Sequence, residues 1–204
     1  TKFNQQVSWD FGGPVLESLN GMRWILVASD GRAKWEACSP LRYKSDCYKG
    51  LQRWLERNSK PERVRTDNAA EFKGEGCQWR LFCLEKNIII DFSPPYLPQH
   101  NGEVERYMRT LFSAIRAVLH GTDPRLWDCA SKYVAYTFNR LERKQGEISP
   151  HERRHRRKPN NNHLRKFGTL CYLKHQKPVG KLGPRTQKAI FLGYGDEIGR
   201  ASCR

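Results

Sequence analysis

The sequence predicts an α/β fold, a mixed sheet with helices on its faces, and three observations carry that prediction. Two strand-like runs separated by a Gly/Pro-rich stretch open the chain, short apolar runs then alternate with amphipathic ones, and two long helical periodicities follow. Residues 6–12 (QVSWDFG) and 22–29 (MRWILVAS) read as a hairpin, with Gly13, Pro14, Asn20 and Gly21 in the connection. A third short strand is expected near 33–38, after the Asp30-Gly31 turn. Ser39 and Pro40 read as the opening of a helix that runs to about Asn58, with Leu41, Tyr48, Leu51, Trp54 and Leu55 on its apolar stripe.

Residues 63–66 form a brief strand, 68–86 a helix entered through Asp67 and Asn68, and 87–92 a strongly apolar strand. The stretch 93–101 (SPPYLPQHN) holds three prolines and excludes helix, whereas Gly102 opens a long periodic helix to His120 with Val104, Met108, Leu111, Ile115 and Leu119 on its buried side. A further amphipathic helix is expected over 124–141; Trp79, Trp127 and Tyr133 fall at core-like spacing and are read as packing residues. Composition changes after Leu141. Fourteen Lys/Arg stand against three Glu between 141 and 188, and short strands over 164–174 and 188–194 suggest a small β module. The expected division is a core over 1–141, a basic linker over 142–163, the module over 164–196, and a terminal octapeptide, EIGRASCR (197–204). That octapeptide resembles a translated sequencing adapter and is set aside from fold reasoning.

With 38% hydrophobic residues the chain can build a core, and 37 Lys/Arg against 21 Asp/Glu give a formal charge of +16, which suits a polyanionic partner because each cation set against a phosphate releases condensed counterions. Seven cysteines, an odd set with no C-x-x-C pair, indicate neither a disulfide framework nor a zinc site and fit reduced thiols of a cytosolic or nuclear protein. No apolar run approaches the ~20 residues that span a bilayer, so no membrane partner is expected. The chain opens at Thr1 without an apolar leader, as a cut inside a longer protein would.

Three acids sit where strand ends and a helix start would converge: Asp10 late in the first strand, Asp67 just after the strand at 63–66, and Glu105 in the first turns of the long helix. Singly, each has an ordinary role, as turn residue, helix N-cap or solvated helix carboxylate with Arg109 four residues on. Together they form an oxygen-only set that repels itself unless divalent cations neutralise it, and such ligands suit magnesium or manganese. The run RRHRRK, with Arg153, Arg154, Arg156, Arg157 and Lys158, is read as DNA-backbone binding or nuclear import, against a solvated linker.

The segments VSWDFGGP (7–14), RTDNAAEF (65–72) and SPPYLPQHNGEVERYMRTL (93–111) resemble the three signature blocks of the integrase core of copia-type LTR retrotransposons, within the retroviral integrase and RNase H-like superfamily. The resemblance continues through 149–173 and 188–194. It implies an RNase H-like mixed five-stranded sheet flanked by helices, then the basic linker and an SH3-like β module. It also implies a DDE enzyme in which Asp10, Asp67 and Glu105 hold two Mg2+ or Mn2+ ions about 4 Å apart for DNA end processing and strand transfer. Element ends and target DNA are the expected partners, with Asn68, Gln99, His100, Asn101, Arg106 and Arg109 as further DNA contacts; a homo-oligomeric integration complex, and location in the nucleus and cytoplasmic virus-like particles, are expected with it.

In this chain Ala69 and Ala70 stand where the family commonly has glycine, and alanine favours helix there. Glu103 and Glu105 compete for the third position: Glu103 has the spacing of retroviral relatives, but the register from Pro98 and Gln99 through Gly102 selects Glu105. Side chains two residues apart point ~200° away from each other on a helix, so only one of the two can face the sheet. A DNA-binding remnant without catalysis and another RNase H-like nuclease or transposase are the alternatives.

Overall fold

Strand β1 (Gln6–Gly12) sets the geometry by alternation. Val7 and Trp9 enter one buried cluster with Phe11 packed against it, so the even positions Ser8, Asp10 and Gly12 address the opposite face. The structure, a computed structural model, describes residues 2–94, 102–174, 183, 185–195 and, as backbone, 201–203. Strands β2 (Trp24–Asp30) and β3 (Trp35–Leu41) continue the antiparallel ladder, and β4 (Arg63–Thr66) and β5 (Ile89–Phe92) add in parallel, giving the order β3-β2-β1-β4-β5. This is the mixed five-stranded sheet with helices on both faces.

Two hydrophobic clusters cover the two faces. Leu26 and Ala28 of β2 join Val7, Trp9 and Val64 beneath α1 (Cys47–Arg57) and α3 (Gln78–Glu85), with Phe72 of the short α2 (Ala70–Lys73) between them. Ile25 and Val27, one step out of phase, turn to α4 (Gly102–Val118) and α5 (Trp127–Phe138). A strand buried on both sides is apolar throughout, hence the uninterrupted ILVA run.

Before α4 the structure departs from the expected elements at two points. Ser39 and Pro40 continue β3 instead of opening a helix: β3 is an edge strand, where the N–H that proline lacks is not needed by the ladder, and Pro40 registers against Ile25. The single helix expected over 68–86 is two, α2 and α3, parted at Gly74–Cys77, where Gly76 adopts φ +72° and a Cβ on Gly74 would stand 2.8 Å from the Ala70 carbonyl oxygen.

The basic stretch contains a helix, α6 (Pro150–His155), with Ser149 Oγ accepting from the Glu152 N–H at 3.2 Å and proline at the start. Beyond it, β6 (Leu170–Lys174), β7 (Thr186–Tyr194) and β8 (Ala201–Cys203) make a three-stranded antiparallel sheet, short of an SH3-like barrel among the described residues. The octapeptide set aside on sequence supplies β8. This small sheet is docked on α5: Phe167 and Leu192 are buried in the cluster of Leu111, Trp127 and Val134, and the Tyr136 and Tyr194 rings stack 4.1 Å apart.

Candidate active site and basic surface

Asp10 lies on the α4 face of β1, half-buried, with Oδ1 accepting the Phe11 N–H at 2.8 Å. Asp67 follows β4, the parallel neighbour of β1, and turns back on its own backbone, Oδ1 accepting from the Ala69 N–H at 3.1 Å. That is an Asx turn; Ala69 is the N-cap of α2 and gives no side-chain cap. Glu105 is exposed in the first turns of α4.

What brings α4 over β1 is Gly12. A Cβ there would stand 2.8 Å from Met108 Sδ and from the Phe112 ring, so the bare α-carbon admits the helix face that carries Glu105 one turn earlier. Asp10 feels the charge of both other acids. Burial first, then the charges of Asp67 and Glu105, raise the Asp10 carboxyl to about 6, against the Phe11 N–H and the Lys44 ammonium, which lower it. Coulombic coupling reaches farther than a metal–ligand bond, and among the described residues no group of three His, Cys, Asp or Glu side chains stands within reach of one ion. The charges of Asp67 and Glu105 thus reach Asp10 without the three acids closing on one ion.

Glu103 goes elsewhere. Its carboxylate lies against Gly31, at the β2–β3 turn, and borders a cavity of about 410 Å3 behind α4, together with Glu36, Arg106, Tyr107, Phe138 and Arg143. Glu36 is buried there with its carboxyl raised to about 7 by desolvation, which outweighs the Arg143 guanidinium paired with it. Arg106, expected on DNA, borders this same cavity.

Of the other expected DNA contacts, Asn68 is exposed and its side-chain amide donates to the Ser93 carbonyl at 2.8 Å, tying the end of β4 to the end of β5; Arg109 is exposed on α4. Gln99, His100 and Asn101 lie outside the described residues. The basic run divides physically. Arg156, Arg157 and Lys158 are exposed, whereas Arg154 is wedged between the rings of Phe3 and Trp35, 4.6 and 4.3 Å from their centroids, and donates to the Arg57 carbonyl at 3.0 Å. Arg153 pairs with Glu147 at 3.7 Å. Arg154→Ala is expected to cost about 1–2 kcal/mol through lost ring contacts. If the basic run binds DNA as the sequence reading expects, Arg157→Ala should leave the melting temperature in place and lower the salt slope of that binding by about 0.9. Thermal unfolding beside a salt-titrated binding series checks both.

Neither the packing role of Arg154 nor the effect of Lys44 at Asp10 is marked as such in the sequence. The Ser149-Pro150-x-Glu152 signature was the available signal for α6, which presents Arg154. Lys44 has no local signal, since the groups around it come from separate elements.

No protein-family model matches the chain. It is 28% identical over 200 residues to the retrovirus-related Pol polyprotein from transposon TNT 1-94 of Nicotiana tabacum, which covers 92% of this chain and 15% of that one. It is 29% identical over 195 residues to the Pol polyprotein from transposon RE1 of Arabidopsis thaliana, covering 90% and 13%. The chain thus spans about one seventh of the length of the curated relatives it matches. Among solved structures it is similar to a simian T-cell lymphotropic virus intasome in complex with a PP2A regulatory subunit (TM-score 0.66, 17% identity, 99% of this chain and 76% of that one). It is similar also to the catalytic core domain of HTLV-2 integrase in complex with magnesium (TM-score 0.61, 17% identity, 76% and 98%). The fold is that of retroviral integrase catalytic cores.

Proposed function

We propose that this chain, related along nine tenths of its length to retrotransposon Pol polyproteins and folded as an integrase core, is the DDE integrase domain of a copia-type element, which processes DNA ends and joins them to target DNA. The observation that carries the reading is that Asp10, on the face of β1 that α4 crosses, feels the charges of Asp67 and Glu105, the other two acids of the signature blocks.

The donor set fits a hard divalent cation. It is all carboxylate, and the repulsion from Asp67 and Glu105 that adds to burial in raising Asp10 is what such a cation relieves. Asp10, Asp67 and Glu105 would hold the ions, magnesium or manganese and two in number in this reading, which when bound supply Lewis acidity at a phosphoryl oxygen. The chain itself supplies position. The Phe11 and Ala69 N–H groups each fix one carboxylate oxygen, the β1–β4 ladder fixes the spacing of the two strands, and Met108 and Phe112 against Gly12 fix the height of α4. DNA is the substrate class that the reading requires, and the exposed Arg156, Arg157 and Lys158 support it electrostatically. A homo-oligomeric complex, and location in the nucleus and in cytoplasmic virus-like particles, belong to the same reading.

Metal-dependent nicking of DNA that carries element ends tests it: the full chain is expected to nick, Asp67→Asn to be silent, and chelation to abolish the signal. Equal signal from the two chains would reject catalysis at these acids. The second reading, a DNA-binding chain without catalysis, is favoured by the absence of a trio within reach of one ion among the described residues, and it predicts binding with no nicking.

A further inference from the structure

We propose that Lys44 holds a backbone phosphate of the DNA beside Asp10, as a positioning residue of the acidic site; the inference rests on the integrase reading. Lys44 opens the 3-10 turn Lys44–Asp46 between β3 and α1. Its Nζ stands 4.7 Å from the Trp24 ring centroid and 5.3 Å from that of Phe11. Phe11 follows Asp10 on β1, and Trp24 begins β2. On a third side is Glu71 of α2, its Oε1 3.8 Å from Nζ, in the segment that follows Asp67. One ammonium is therefore held between Phe11, the residue after Asp10, and the short helix that follows the Asp67 turn, and its charge is felt at Asp10.

Its surroundings suit a ligand better than a finished structural contact. The rings fix the ammonium by cation–π attraction, which uses charge and consumes no N–H donor. The Glu71 contact exceeds hydrogen-bond length, and no hydrogen bond from Nζ is formed among the described residues. The Lys44 side chain is 32% exposed, so a ligand can reach the ammonium from solvent. A phosphate brought to a group of carboxylates is repelled by them, and a compact ammonium carried on a stem packed against aromatic rings offsets that repulsion at a fixed place.

The test is duplex-DNA binding by the full chain over a salt series, read by anisotropy of a fluorescein-labelled duplex. Lys44→Met keeps an apolar stem on the rings, so the melting temperature should hold, while the salt slope falls by about 0.9, the loss of one phosphate contact. Lys44→Arg should retain the slope. The double replacement Lys44→Met/Glu71→Gln restores the local net charge and should still show the reduced slope; a return to the wild-type value would reassign the effect to the general field and overturn the proposal. An unchanged slope in Lys44→Met overturns it directly. In nicking assays the same variant should raise KM several-fold with kcat within about twofold, the signature of a contact made alike in ground and transition states. Absence of nicking by the wild-type chain would defeat the integrase reading alone, because the salt series still reports on Lys44.

Discussion

Glu105→Gln is expected to reduce metal-dependent nicking by about 10^3-fold, and Glu103→Gln, two residues away on the same helix, to leave it within about threefold. The first figure follows from losing one charged ligand: about 4 kcal/mol of charge stabilisation at the reacting phosphoryl group corresponds to three decades in rate. The second follows from where Glu103 lies, against Gly31 and facing the cavity of Glu36 and Arg143. Because the variants share a helix, a general loss of α4 packing would depress both. Initial nicking rates in Mn2+, beside thermal midpoints of each chain, make the comparison. Equal rates for the two variants, or the greater loss in Glu103→Gln, would remove Glu105 from the site.

Trp9→Ala should destabilise the chain by about 3–5 kcal/mol, a large part of the 5–15 kcal/mol typical of a folded domain. Trp9 is 1% exposed, and its ring meets those of Trp54 and Trp79 at 5.8 and 5.3 Å in edge-on geometry. Its Nε1 is buried with no hydrogen-bond partner, so removing the indole also removes an unmet donor, which moves the expected loss toward the lower figure. Urea unfolding measures this as a lower midpoint at unchanged slope. A loss below about 1 kcal/mol would mean that the aromatic cluster is not the keystone of that face.

The parts of the fold legible in the sequence are those whose signals are local. Strand β1 ends at Gly12-Gly13-Pro14, β4 at the Asp67 turn, and α4 begins at Gly102 after the prolines, so all three acids stand at punctuated element ends. What was not legible depends on partners far away in sequence. Ser39-Pro40 resembles a helix start until β2 is set beside it and β3 proves to be an edge strand. Arg154 reads as one cation in a charge run until Phe3 and Trp35 close on it from the far end of the chain. The choice between Glu103 and Glu105 needed a motif, because helical geometry says only that they diverge; which one meets β1 depends on the bare α-carbon of Gly12.

The docking of the small C-terminal sheet on α5 bears on how the chain comes apart. Phe167 and Leu192 share an apolar interior with Val27, Leu111 and Val134, so no seam separates an independently stable front half from a dispensable tail. A recombinant piece ending at residue 141 would leave the outer wall of α5 wet, with Tyr133 and Tyr136 stripped of Tyr194. Thermal unfolding is accordingly expected as one concerted transition of both sheets, and the shortened piece is expected to come out of solution where the full chain stays in it.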